Sequence, residues 1–385
     1  MIEKVHIQNF KSIYDLEIEV GRVNLFIGEN GSGKSNLLEA LVFVSAEQSN
    51  KLDNEFLSSR GIRLVEPSLM KSAFTEKDKI KDIIITINSS DKKAIKYTFF
   101  NHNKEYAKWD SAEIILNDSS DSATLLNQGN VLREDEEIEE FINNLENNGK
   151  IKELLTYMNN HQTRSVVKNF VIYSPENTAL RTFEKEGQIQ PLGINGEGLL
   201  KLLKVINNYE DQTHIETIVE SLQLFNWFEG IEMPKDISSS ENKVIIKDKY
   251  LYQEFDQRST NEGFLFILFY ITLVVAKETP KAFAIDNIDA SLNPKLCTKL
   301  MTILTGLAKK YDKQIFLTTH NPAMLDGIDL NDEEQKLFVV SRNKQGHTRM
   351  KNITLKDKPK SSTNEPLKLS EAFLRGYLGG LPKGF

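Results

Sequence analysis

The run GENGSGKSN at residues 28–36 places three glycines, a lysine and a serine at the spacing GxxxxGK(S/T). Gly28, Gly31 and Gly33 permit close backbone approach to an anion, and Glu29, Asn30, Ser32 and Asn36 complete a loop whose N–H groups open a helix. At this spacing Lys34 is the cation for the β- and γ-phosphates of a nucleoside triphosphate, and the Ser35 hydroxyl is a ligand for its Mg2+. In AFAIDNIDASLN, an apolar run ends at Asp286, a carboxylate suited to the same ion. In QIFLTTHNP, another ends at His320, whose imidazole either touches a γ-phosphate or is simply satisfied at a strand end. The expected cofactors are ATP and Mg2+, with Ser35 and Asp286 as the metal residues.

Asn287 stands next to Asp286, where a hydrolase of this kind needs a glutamate to orient or deprotonate the attacking water. An amide cannot accept that proton. Loss of a general base removes about 10² to 10⁴ of rate, so the sequence predicts an ATPase that binds phosphate normally and turns over slowly. Asp286, Asn287 and His320 form the candidate catalytic set. The alternative is a base recruited from elsewhere, with Asp289 the nearest carboxylate.

Positioning these residues requires strands that end side by side. The apolar run 23–27 is strand-like and 36–44 is apolar at helical spacing, giving strand, loop and helix in the required order. Farther on, the pattern predicts helix 263–276, strand AFAID, helix 294–309, strand QIFLTT, strand KLFVVSR and a last strand HTRMKNITL. Strands alternating with helices imply a mainly parallel, covered sheet. Between these halves, DIIITI, AIKYTFF and AEIIL read as an antiparallel meander. Residues 134–160 read as an acidic helical stretch, 197–233 as helical, and 243–255 as paired strands. The fold class expected is therefore α/β, of the P-loop NTPase type, with an antiparallel β-meander and a helical insertion.

The chain has 385 residues, a formal charge of −7 and one cysteine, Cys297. That length allows two or three domain-sized units. A lone cysteine excludes disulfides within the chain and cysteine-based zinc sites. The acidic balance argues against a surface coated for nonspecific DNA binding, and nucleic acid stays open as a partner. No apolar run reaches the length of a membrane span, and MIEKVHIQNF has no signal-peptide pattern, so no membrane partner and a cytoplasmic location are expected.

These residues, in this order, resemble the RecF-like and SMC-like branch of ABC-type ATPases. NFKSI and GENGSGKSNLLEAL are similar to the opening of SMC heads, and DNIDASLN to their Walker B and D-loop. The resemblance covers residues 1–47, about 168–200 and about 255–350. It implies an ATPase head in two parts, 1–50 and 166–355, with a helical lobe at 197–235. An inserted β-meander and helical region, 51–165, separates the parts, and a linker and tail, 356–385, follow.

The resemblance makes His320 the switch histidine and places the signature loop at Thr260, Asn261, Glu262 and Gly263, with Asn261 where the usual serine stands. A pure helix cap is the other reading of that loop. It also gives Lys11 a place beside the nucleotide, although a solvated lysine fits equally, and leaves the Q-loop residue unassigned between Gln188 and Gln190. The implied assembly is a homodimer with two sandwiched ATP molecules.

A narrower resemblance, carried by the ending LRGYLGGLPKGF, is to ATPases of anti-phage defence operons, PtuA-like and OLD-like. It implies a separate effector protein, a nuclease, for which the tail is a candidate docking element. An SMC-like DNA clamp in repair or recombination is the alternative. A transporter's nucleotide-binding subunit is disfavoured by the missing signature serine and the long polar insertion.

Overall fold

The computed structural model describes residues 1–90, 94–101, 109–116, 124–126, 167–183, 187–233, 243–359 and 367–381. The strands in chain order begin with β1 (Ile2–Phe10), β2 (Ile13–Glu19), β3 (Val23–Gly28), β4 (Ile83–Ser89), β5 (Ala94–Phe100), β6 (Asp110–Leu116), β7 (Thr124–Leu126) and β8 (Ile172–Tyr173). They continue with β9 (Phe228–Glu232), β10 (Ile245–Asp248), β11 (Phe255–Asp256), β12 (Ala282–Ile285), β13 (Gln314–Thr319), β14 (Gln335–Arg342) and β15 (Thr348–Ile353). Among the described residues they form a sheet β15-β14-β3-β13-β12-β8, a sheet β2-β1-β4-β5-β6-β7 and a small sheet β11-β10-β9. The first is parallel except at β15, which pairs antiparallel to β14. The second is antiparallel throughout.

The central sheet is buried on both faces, which its near-continuous apolar strands require. Alternate residues serve different cores. Leu25, Ile285, Leu317 and Val339 face one, while Phe26, Ala284, Phe316 and Phe338 face the other. The second core is closed by helix Lys34–Gln48, whose residues from Leu37 to Ala46 are all buried and, apart from Glu39 and Ser45, apolar. Such a helix must lie inside the protein. It sits between the parallel sheet and the apolar face of the antiparallel one, where Ile85, Tyr97 and Phe99 belong to the same core. On the opposite face pack helices Leu199–Asn207, Thr213–Leu222, Glu262–Val275 and Pro294–Lys310.

This arrangement aligns the carboxyl ends of three neighbouring strands. β3 pairs with β13, bringing Ile27 opposite Thr319, and β13 pairs with β12, bringing Leu317 opposite Ile285. The phosphate loop, His320 and Asp286 follow these ends directly, so they meet at the edge where parallel sheets place ligands.

Several details differ from the sequence pattern. Residues read as helical over 197–233 end in β9, because Phe225, Trp227 and Phe228 turn onto Phe264, with ring centroids 5.2–5.3 Å apart, and β9 then pairs with β10. β1 and β2, which the sequence pattern did not assign to a sheet, pair with the meander through β4. The tail folds back on the protein: Leu369, Ala372, Phe373 and Leu378 are buried in the first core, and Ser370 donates to Asp326 through its N–H and its hydroxyl, at 3.0 and 2.6 Å. The tail is therefore packed on the core through these residues, with Leu374 and Tyr377 left exposed on its outer side. The acidic stretch 134–160 lies outside the described residues. Among the described residues no helix is long and apolar enough to cross a membrane.

Candidate nucleotide-binding site

A cleft of about 670 Å³ opens at this edge, a size in the range of small-ligand sites. Asn30, Gly31, Ser32, Gly33, Lys34, Ser35 and Asn36 form one side, with Asp286, Asn287, His320 and Lys11 around it. Gly28 and Glu29 belong to the same loop and accept from Lys34 Nζ through their carbonyls, at 2.8 and 3.0 Å.

The loop glycines answer to different demands. Gly31 and Gly33 adopt φ of +74° and +103°, conformations open to glycine. At Gly28, a side chain would collide with the Val340 carbonyl of the neighbouring strand, and at Gly33 with the hydroxyls of Thr348 and Ser12. These hydroxyls brace the loop from behind. Thr348 Oγ1 donates to the Ser32 carbonyl at 2.9 Å, Ser12 and Thr348 share a hydrogen bond of 2.7 Å, and Asn36 donates to Ser12 at 2.6 Å.

Lys34 is buried, contrary to the exposed position that a surface loop suggests. Burial pushes its ammonium down to about 8, against the pull of Asp286, Asp289 and Glu29. A buried cation with only carbonyls as hydrogen-bond partners is suited to an incoming phosphate.

The Ser35 hydroxyl lies 3.2 and 3.1 Å from the two Asp286 carboxylate oxygens. Thr318 also donates to Asp286, and its hydroxyl accepts from the Asn287 N–H at 2.9 Å, so β13, the strand between β3 and β12, fixes the carboxylate. One hydroxyl and one carboxylate, both hard oxygen donors, are a donor set that suits Mg2+. Ser35 and Asp286 would hold that ion, and it would supply charge for the phosphate oxygens.

Asn287 has φ of +55° and an exposed side chain on the cleft. Asparagine tolerates this left-handed conformation better than a glutamate would. His320 is exposed, and its N–H donates to Asp289 at 3.2 Å, as does the Thr319 hydroxyl at 2.7 Å. Partial shielding of its ring from water, reinforced by Lys34, holds the imidazole below its ordinary value despite Asp289 and Asp286. A neutral ring has one donor and one acceptor. Asp289 is thus engaged at the end of β13.

Lys11 lines the cleft at φ of +48°, but its ammonium pairs with Glu39, which is fully buried and also accepts from Arg63 Nε at 3.0 Å. Asn261, Glu262 and Gly263 are not brought to this cleft. Asn261 caps helix Glu262–Val275 by accepting from the Phe264 N–H at 2.9 Å, and Glu262 accepts from the Ser291 hydroxyl at 2.6 Å. Neither Gln188 nor Gln190 lines the cleft.

Arg63, Val65, Leu69, Lys71, Phe74 and Arg342 form the cleft's other wall, and sequence reading missed them. They come from the irregular stretch after the first helix and from the end of β14, where no spacing marked them. Val65 and Leu69 are exposed apolar residues, 44% and 54% accessible, which marks this wall in the structure and not in the sequence.

Strand, phosphate loop, buried helix and a second strand ending in a carboxylate define a P-loop ATPase with the fold of an SMC head. The chain belongs to the AAA domain family, whose model matches residues 4–260. A second model, described as "AAA domain, putative AbiEii toxin, Type IV TA system", matches residues 221–326. Among curated relatives, the DNA replication and repair protein RecF of Listeria welshimeri is 38% identical over 55 residues, 14% of this chain and 15% of that protein. RecF of Clostridium botulinum is 23% identical over 275 residues, 68% of this chain and 70% of that protein. Among solved structures, an SMC head bound to the C-terminal winged-helix domain of ScpA superposes with a TM-score of 0.57 at 15% identity, over 92% of this chain and 98% of that one. The Pyrococcus furiosus SMC head bound to the C-terminal domain of ScpA gives 0.52 at 13% identity, over 92% and 96%.

Proposed function

We propose that the protein is an ATP-binding head that two copies close around two ATP molecules, with slow hydrolysis, so that nucleotide occupancy sets the assembly state. The observation that carries this reading is the Ser35–Asp286 pair beside an amide, Asn287, at the carboxyl edge of the sheet. Lys34 and the loop N–H groups bind the phosphates, Ser35 and Asp286 provide the metal's oxygen donors, and His320 lies at the γ-phosphate end. Arg63, Val65, Leu69 and Phe74 face the rest of the nucleotide. The loop 260–263 caps its own helix and is left to meet the ATP of the second copy.

The assembled dimer then scaffolds or restrains a separate effector, a nuclease, in anti-phage defence; the PtuA-like and OLD-like sequence features support this. A second reading, an ATP-dependent DNA clamp in repair or recombination, is favoured by the likeness to RecF over 68% of the chain. Two measurements separate them. Nuclease co-purifying with the ATP-bound protein supports the effector reading. DNA binding that requires ATP and weakens steeply with salt supports the clamp.

A further inference from the structure

The loop 260–263 is fastened from outside its own helix by Arg181, a residue without a role in any motif. Arg181 Nη1 donates to the carbonyls of Gln257 and Arg258 at 2.6 and 2.8 Å, and Nη2 to that of Thr260 at 2.8 Å. Its Nε donates to Asn177 Oδ1 at 2.9 Å, which orients the fork. Three carbonyls from one four-residue stretch therefore converge on a single half-buried guanidinium. Their dipoles point negative ends together, an arrangement that needs a cation, and only a rigid planar donor reaches all three.

Arg181 is anchored in turn to the metal side of the site. It follows helix Asn177–Leu180, whose Leu180 is buried in the core, and that helix follows β8. β8 lies beside β12, with the Asp286 N–H donating to the Tyr173 carbonyl at 2.9 Å. On the loop's other side, Ser291 holds Glu262, and a side chain on Gly263 would come within 3.3 Å of the Ser291 carbonyl. The loop is thus held between Arg181 and the segment after Asn287.

We infer that Arg181 is a positioning residue that fixes the 260–263 loop for the second copy's ATP, and so controls nucleotide-dependent pairing without touching nucleotide itself. This rests on the sandwich reading above. The test compares the full-length wild type with Arg181→Met and Arg181→Lys. ATP·Mg binding is measured by calorimetry, self-association by sedimentation velocity, and amide hydrogen exchange by mass spectrometry.

Loss of charge-assisted bonds to three carbonyls should weaken ATP-dependent association of Arg181→Met by about tenfold or more, while ATP affinity of the single chain stays within about twofold. Exchange should rise at 257–264 and stay unchanged at 28–36, with Arg181→Lys intermediate on both readouts. Wild-type association that Arg181→Met leaves intact overturns the inference, as does equal loss of ATP binding or exchange that rises throughout the chain. Should the wild type fail to associate with ATP, the sandwich reading falls. The exchange measurement then still decides Arg181: unchanged exchange at 257–264 overturns its positioning role, and a local rise sustains it.

Discussion

Asn287→Glu puts a carboxylate beside Asp286, on the cleft and next to the residue that would hold the metal. Two magnitudes compete. A general base contributes about 10² to 10⁴ in rate, equivalent to about 3 to 5 kcal/mol of barrier. Against this, position 287 has φ of +55°, and a residue other than glycine, asparagine or aspartate there costs about 1 to 2 kcal/mol. That cost falls on the folded state and not on the barrier alone, because the Asn287 backbone is tied to Thr318 whether or not nucleotide is bound. The variant should therefore melt a few degrees lower and hydrolyse ATP about 10²-fold faster, with ATP affinity little changed. Asn287→Asp provides the control: aspartate tolerates the left-handed backbone, and its side chain is one methylene short, so stability should hold and the gain should be smaller. Steady-state phosphate release at saturating ATP is the assay. Brisk wild-type hydrolysis, or an Asn287→Glu variant that binds ATP and is no faster, would refute the reasoning.

Lys34→Ala should abolish measurable ATP binding in calorimetry while the protein keeps its cooperative melt, since the lost partners are two loop carbonyls. Because Lys34 titrates at about 8 before phosphate binds and higher afterwards, ATP affinity should be level below that pH and fall as pH rises through it, with proton uptake on binding near pH 8; affinity flat from pH 7 to 10 would contradict this. Gly263→Leu should leave ATP binding in place and remove ATP-dependent association in light scattering, because the new side chain meets the Ser291 carbonyl and fills the loop's approach. Phe373→Ala should cost about 3 kcal/mol in urea unfolding, as expected for a buried aromatic, and a tail free of the core would instead show no change.

The central sheet was legible because short, continuous apolar runs such as AFAID and QIFLTT, too short for helices, each lead into a polar residue at the carboxyl end. The phosphate loop, Asp286 and His320 could be placed together for the same reason. What stayed hidden depended on contacts between distant segments. β9 follows an amphipathic helix without a Gly or Pro to mark the end, and only packing on Phe264 and pairing with β10 turn Phe228 into a strand. Glu39 looked like one polar residue on a helix, yet it is buried and gathers Lys11 and Arg63. Arg181 reaches the Gln257 carbonyl 76 residues later in the chain and the Thr260 carbonyl 79 residues later, distances no local pattern carries.

Sedimentation velocity of the full chain with and without ATP·Mg, beside Lys34→Ala, tests the nucleotide-gated assembly most directly. The expected result is a wild type that doubles in mass with ATP·Mg and holds that state over many minutes, and a Lys34→Ala variant that stays at its nucleotide-free mass. A wild type whose mass is the same with and without ATP·Mg, while calorimetry shows the nucleotide bound, would contradict it.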